Sequence, residues 1–265
     1  MSAYWKQRIQ AELEAERTRL LEETERELAS VYRVEAKRIQ MAILEVFEKI
    51  QRDANSEEGI KPNDLYRNNR YWALLDYINE RLTALGFKQV DIIEDKLIKV
   101  YEHSQKTVSD NMPSEYVNTS WLNVNAIDVR QMVNQVWCLD GKAFSNRIWD
   151  SKSSILHAIK SALMDYVVQG KSPWEIAKHI RDITGKSNSD CYRIARTETA
   201  HLQIKSQVEK YKEYGFTHAR FLGSSTCCDG CHRHDGEVFT LDEIESLIPV
   251  HPNCTCSFTL EDIDT

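Results

Sequence analysis

Apolar residues recur at helical spacings through the first fifty residues of the chain. Gly and Pro are absent between Ala3 and Arg52, and Glu, Arg and Lys fill most of the remaining positions. This pattern predicts one long amphipathic helix that can take part in a coiled coil, with the charged residues on its solvated face. The recurring apolar positions are Trp5, Ile9, Leu13, Leu20, Leu28 and Val31.

Further helices follow a polar segment at 53–64 that predicts a loop. Gly86, Gly170, Gly185 and Gly215 mark expected helix ends, because glycine readily adopts the left-handed conformation that ends helices. The helices that we expect in this region are at about 64–84, 90–109, 126–137, 151–169, 172–185 and 190–214.

The periodicity changes after Gly215, where THARFLG, EVF and CTCSFTL predict three short strands. Capping boxes are expected at Ser172-Glu175 and Thr240-Glu243. We therefore expect a mostly α protein of the α+β class, with long N-terminal helices, a helical body and a small C-terminal β-rich cap. The polar segment around Pro113 divides the chain into a helical part at 1–115 and a second domain at 116–265, with the cap at about 217–265.

The net charge and the hydropathy of the chain argue against several classes of function. The net charge of −7 argues against a protein that coats nucleic acid, because such binding depends on Lys and Arg. No apolar run approaches the roughly 20 residues that cross a bilayer, and the charged start lacks a signal-peptide centre. We expect no membrane contact and a soluble protein in a reducing cytoplasm, where clustered cysteines are more often metal ligands than disulfides.

Five of the seven cysteines lie in the expected cap. Two of them have the spacing of a metal knuckle, and a structural zinc would stabilise a cap that is too small and polar to hold together by burial alone. Reduced thiols or disulfides stay open as alternatives, whereas a catalytic metal is least favoured because too many protein ligands are present. The candidate ligands are Cys228, Cys231, His251, Cys254 and Cys256, and His251 can replace either of the last two cysteines.

A second polar group lies in the expected helix at 190–214. Arg193, Arg196 and Glu198 form a seam on a helix that otherwise faces the core, which favours an internal salt bridge over a nucleotide site. Glu198 and His201 have the spacing found in di-iron bundles, but that chemistry needs a second such pair. No phosphate loop, nucleophile elbow or His-Glu-x-x-His motif is present, so we expect a protein that is not an enzyme.

Three segments in order resemble the phage head morphogenesis domain of the Mu F-like minor head protein family. They are WCLDGKAFSNRIW (137–149), RIARTETA (193–200) and the pair CDGC and HPNCTC (228–256). The resemblance covers about residues 120–260 and departs at Thr255, where the family usually has Arg. It implies a minor head, or minor capsid, protein that enters the procapsid, associates with the portal protein and supports DNA packaging or delivery.

The same resemblance implies partners and a location. Other head proteins, scaffold or capsid, are further expected partners, and local contact with packaged DNA is left open. The protein would lie in the host cytoplasm during assembly and then inside the virion head near the portal. Arg196, Glu198 and the five cap residues carry over as framework positions without a catalytic role. The alternative is a metal-dependent nuclease of the His-Asn-His type, with His251 as the base.

Overall fold

The structure, a computed structural model, describes residues 3–54, 62–114, 126–138, 140–169 and 171–261. Helices dominate and three short strands lie near the C-terminal end, which confirms the expected mostly α, α+β fold. Within the described ranges, no helix is both long and apolar enough to cross a bilayer. The elements are α1 (Ala3–Ala54), α2 (Pro62–Tyr66), a 3-10 turn (Arg67–Asn69), α3 (Arg70–Asn111), α4 (Ala126–Val133), α5 (Phe144–Val168), α6 (Pro173–Glu213), β1 (His218–Leu222), α7 (Asp229–His232), β2 (Val238–Thr240), α8 (Leu241–Leu247) and β3 (Ser257–Glu261).

The chain divides into two compact units, each built from separated parts of the sequence. Unit 1 comprises Met1–Glu25, Ile93–Phe144 and Arg193–Thr265, and unit 2 comprises Arg26–Ile92 and Ser145–Tyr192. The domain boundary expected at 115–116 lies outside the described residues and stays a prediction, as does the coiled coil. Most of the loop expected at 53–64 also lies outside them, as does the helix end expected at Gly170.

The small sheet belongs to the core of unit 1. β1 pairs antiparallel with both neighbours, in the order β2-β1-β3. Ala219, Phe221, Phe258 and Leu260 alternate with half-buried residues along β1 and β3, and all four pack in one apolar cluster with residues of α1, α3 and α6. Burial against the helices of unit 1 therefore contributes to the stability of the sheet. That so small and polar a cap needs more than burial alone stays a prediction.

Two expected helix ends are wrong, because α3 continues through Gly86 and α6 continues through Gly185. Both glycines permit close packing within unit 2. A Cβ atom on Gly86 would lie 2.6 Å from the Trp149 ring, and one on Gly185 would lie 3.3 Å from the Tyr32 hydroxyl. Glycine inside a helix costs about 1 kcal/mol of stability. It is tolerated at both positions because a larger residue would push a neighbouring side chain aside.

The remaining local signals are confirmed. Gly215, with φ of +84°, follows the end of α6. The N–H of Glu175 donates to Ser172 Oγ at 3.3 Å, and the N–H of Ser172 donates back to the Glu175 carboxylate at 2.9 Å. Thr240 and Glu243 form the same reciprocal box at the start of α8. These devices depend only on neighbours in sequence.

We predict that Gly86→Ala lowers the free energy of unfolding by about 1–3 kcal/mol, because the added methyl group meets the Trp149 ring. That ring packs edge-on against Phe87, with centroids 4.8 Å apart, so its movement is restricted. In an open helix the same change would instead stabilise by about 0.5–1 kcal/mol. Urea unfolding followed by circular dichroism measures the sign. The control combines Gly86→Ala with Trp149→Leu, which removes the obstacle; stabilisation by Gly86→Ala alone would contradict the packing account.

Candidate metal centre

One short helical turn brings Cys228 and Cys231 together. Cys228 immediately precedes α7 in an extended conformation, and its carbonyl accepts a hydrogen bond of 2.9 Å from the N–H of His232. The two Sγ atoms lie 3.8 Å apart. Cys228 is exposed, whereas Cys231 is fully buried in the core of unit 1. The pair therefore has the close spacing of sulfurs expected for a metal knuckle.

A second turn, of sequence His-Pro-Asn-Cys, places His251 and Cys254. The N–H of Cys254 donates to the His251 carbonyl at 3.1 Å, and Asn253 has φ of +63°. Proline at the second position and a positive φ at the third are typical of a type II turn. The N–H of Asn253 donates to Oγ1 of Thr197 in α6 at 3.1 Å, which ties the turn to the helix.

The donor atoms of the two turns surround Cys231 Sγ. His251 Nε2 lies 3.2 Å from it and Cys254 Sγ lies 3.9 Å from it, while His251 Nε2 is also 3.3 Å from Cys228 Sγ. The donors form two groups of three that share Cys231, one with Cys228 and His251 and one with Cys254 and Cys256. Ligand atoms of a tetrahedral zinc lie about 3.5–3.8 Å apart, given zinc–ligand bonds of about 2.0–2.3 Å. The cluster could therefore hold a metal ion.

The His251 ring is oriented as in many metal-binding histidines. Its Nδ1 lies 2.8 Å from the carbonyl oxygen of Pro252, which can only accept, so Nδ1 carries the proton. The lone pair of Nε2 then faces the sulfurs, and a second ring nitrogen bonded to a backbone carbonyl is the usual support of a histidine ligand.

The thiols of the cluster differ in acidity. The backbone N–H of Cys231 lowers the pKa of Cys228, whereas burial raises the pKa of both Cys231 and Cys256. The Arg17 guanidinium of α1 lies beside them and donates to the carbonyl of Thr255 at 3.4 Å. Burial lowers the pKa of Arg17. A cation among the buried thiols would replace protons that these sulfurs otherwise retain.

The polar seam of α6 holds a buried carboxylate. Glu198 is buried and accepts a hydrogen bond of 2.7 Å from Nε1 of Trp137. The Trp137 ring stacks on His201 with centroids 4.1 Å apart, and burial lowers the pKa of His201 to about 4. Arg193 is exposed and Arg196 is half-buried on the same helix, and their salt bridge stays a prediction.

The structure brings together parts of all three sequence segments that carried the resemblance. Trp137 of the first contacts Glu198 of the second, and Thr197 of the second contacts Asn253 of the third. Trp137 and the His251 turn also line a cleft of about 770 Å³ in unit 1. Sequence reasoning missed the roles of Thr197 and Arg17, because their partners are distant along the chain and no local periodicity connects them.

Comparison with known proteins supports the family resemblance. Residues 157–259 match the model of the family described as Phage Mu protein F like protein. This part of the chain is similar to the Mu F-like family. The match confirms the resemblance, and the matched segment contains the Arg-Thr-Glu helix and all five candidate ligands.

One curated relative bears the name of an enzyme. The NAD(+)--arginine ADP-ribosyltransferase EFV of Enterococcus faecalis (strain ATCC 700802 / V583) is 23% identical over 205 residues. The alignment covers 77% of this chain and 40% of that protein, so the chain spans less than half of the relative's length. No solved structure matches the chain.

We predict that His201→Gln flattens the pH dependence of stability between pH 6.5 and 4. Burial lowers the pKa of His201 to about 4 in the folded protein, while an unfolded histidine titrates near 6.5. Above pH 6.5 His201 therefore does not lower the free energy of unfolding. As the pH falls from 6.5 to 4, the free energy of unfolding drops by up to about 3 kcal/mol, because the unfolded chain binds the proton more readily. Urea denaturation of both proteins at each pH measures the difference, and parallel curves would refute it.

Proposed function

We propose that this protein is a minor head protein of a tailed phage or prophage that acts in procapsid assembly at the portal. The observation that carries the proposal is the Mu F-like segment at 157–259, which supports a role in phage head morphogenesis. The geometry of that segment adds support, because it contains a turn tied to α6 and a cluster of five donor side chains, an arrangement that suits a structural framework.

The proposed partners are the portal protein and other head proteins. The protein would enter the head from the host cytoplasm and stay inside it near the portal, where local contact with packaged DNA is secondary because the net charge is −7. In this role the protein is not an enzyme. The name of the Enterococcus protein states a transferase activity. Most of that protein lies outside the alignment, so this activity is not proposed for this chain.

We predict that the chain copurifies with phage heads. Proheads and mature particles from the infected or induced host are separated on a gradient, and this chain and the portal protein are quantified by mass spectrometry. A low, fixed ratio to portal protein in both particle types is the expected result, because a minor head protein is built in during assembly. Recovery of the chain only in the soluble fraction would contradict the head role.

We also propose that the donor cluster binds one zinc ion through Cys228, Cys231, His251 and Cys254. Four of the six distances between these donors are 3.2–3.9 Å: the three that involve Cys231 and the one between Cys228 and His251, and they support the set. Cys254 is preferred over Cys256 because the turn that places His251 also places Cys254. Three thiolates around a divalent ion carry a net negative charge, which the neighbouring Arg17 would offset.

We predict that Cys254→Ser removes most of the bound zinc, while the matched change Cys256→Ser leaves about one zinc per chain. Elemental analysis of the purified full-length variants measures the metal. Hydrogen exchange should also rise at 227–237 and 249–256 in Cys254→Ser, because the two turns lose their common anchor. Equal zinc content in the two variants would contradict the ligand set. A wild-type protein that contains no zinc would contradict the proposal that the cluster binds zinc.

A further inference from the structure

Unit 2 has an apolar groove on its surface between α1 and α3. The groove has a volume of about 590 Å³, and its apolar lining includes Val34, Met41 and Val46 of α1 and Leu74 and Tyr77 of α3. Met41 is 58% exposed and Val34 is 46% exposed. Exposed apolar side chains that share one groove are typical of a binding surface, and methionine adapts to varied partners.

The rim of this groove is basic, in contrast to the acidic chain. Lys37, Arg38 and Lys49 line it, together with a single acidic residue, Glu45. Lys49 pairs with Glu45 at 2.6 Å, whereas Lys37 makes no ion pair with any part of the chain that the structure describes. The groove is therefore a local positive surface on a chain whose net charge is −7.

The buried carboxylate beneath the rim does not cancel this charge. Glu35 is fully buried, and Arg38 contacts it at 3.0 Å and Lys88 at 3.1 Å, with Arg81 at 3.9 Å. Arg81 also pairs with Glu80. Two carboxylates are therefore shared by three cations, so one positive charge remains in excess beside the groove. An occupant with acidic side chains would meet an attractive field here.

The dimensions of the groove suit a helix. Its α1 wall runs from Val34 to Lys49, which at about 1.5 Å per residue is about 22 Å, or four helical turns. The inner faces of α1 and α3 pack against each other through residues such as Phe47 and Ile78, so the valley between them is lined by adjacent outward side chains. An apolar valley between two packed helices is a surface that a third amphipathic helix can fill.

From this geometry we infer that the groove binds an acidic amphipathic helix of about 15 residues from another head protein. Its apolar face would lie on Met41 and Tyr77, and its acidic flank would meet Lys37 and Arg38. The assignment to a head protein rests on the proposed function, whereas the binding chemistry belongs to the groove itself and can be tested on the purified chain.

The test uses a fluorescein-labelled helical peptide of about 16 residues, with leucines on one face and glutamate and alanine elsewhere. Fluorescence anisotropy measures its binding to the full-length protein. A second peptide has lysine in place of every glutamate. The acidic peptide should bind about tenfold or more tightly than the basic one, and Met41→Glu and Lys37→Glu should each weaken it by about tenfold. The matched control is Trp174→Glu, which changes an exposed aromatic of α6 and should leave binding unchanged.

Three outcomes would overturn the inference: equal binding of the two peptides, unchanged binding by Met41→Glu, or a dimer in light scattering that Met41→Glu abolishes. The last would show that a second copy of this chain covers the groove. Circular dichroism verifies that each variant is folded. If the peptide binds but the chain is absent from heads, the head role is wrong and the groove inference stands. If the chain is present in heads but does not bind the peptide, the groove inference is wrong and the head role stands.

Discussion

The crowding of four donor side chains around Cys231 is the constraint on which the local structure of the cap depends. The two turns that supply most of them lie at least twenty residues apart in sequence, yet their donor atoms approach within 3.2–3.9 Å. Thiols are weak hydrogen-bond partners, and burial raises the pKa of Cys231, so protons alone would leave this contact poorly stabilised. One bound cation would join both turns and satisfy the imidazole lone pair at once.

Helix α6 connects this cluster to the rest of unit 1. Thr197 accepts the hydrogen bond that holds the ligand-bearing turn, and the next residue, Glu198, accepts the one that holds Trp137. Two consecutive residues of the Arg-Thr-Glu motif thus position two other segments. The Thr197 hydroxyl and the Glu198 carboxylate each hold another segment of unit 1 in place.

Much of the fold could be predicted because its signals are local. The helical period of α1, the alternation in β1 and the capping boxes each depend on near neighbours, and the structure has them as expected. Gly86 and Gly185 were misassigned because a glycine that ends a helix and one that admits Trp149 or Tyr32 look alike in one sequence. The spacing of the cysteines predicted the candidate ligands, but only the structure shows that Cys231 is common to both groups.

The zinc-centred account of the cap is tested most directly by X-ray absorption at the zinc edge of the purified full-length protein. The account predicts one zinc with three sulfur ligands at about 2.3 Å and one nitrogen ligand at about 2.0 Å. This result would agree with one histidine, as proposed for His251, in place of a fourth thiol. Four sulfur ligands, a shell of oxygen and nitrogen, or no zinc at all would contradict it.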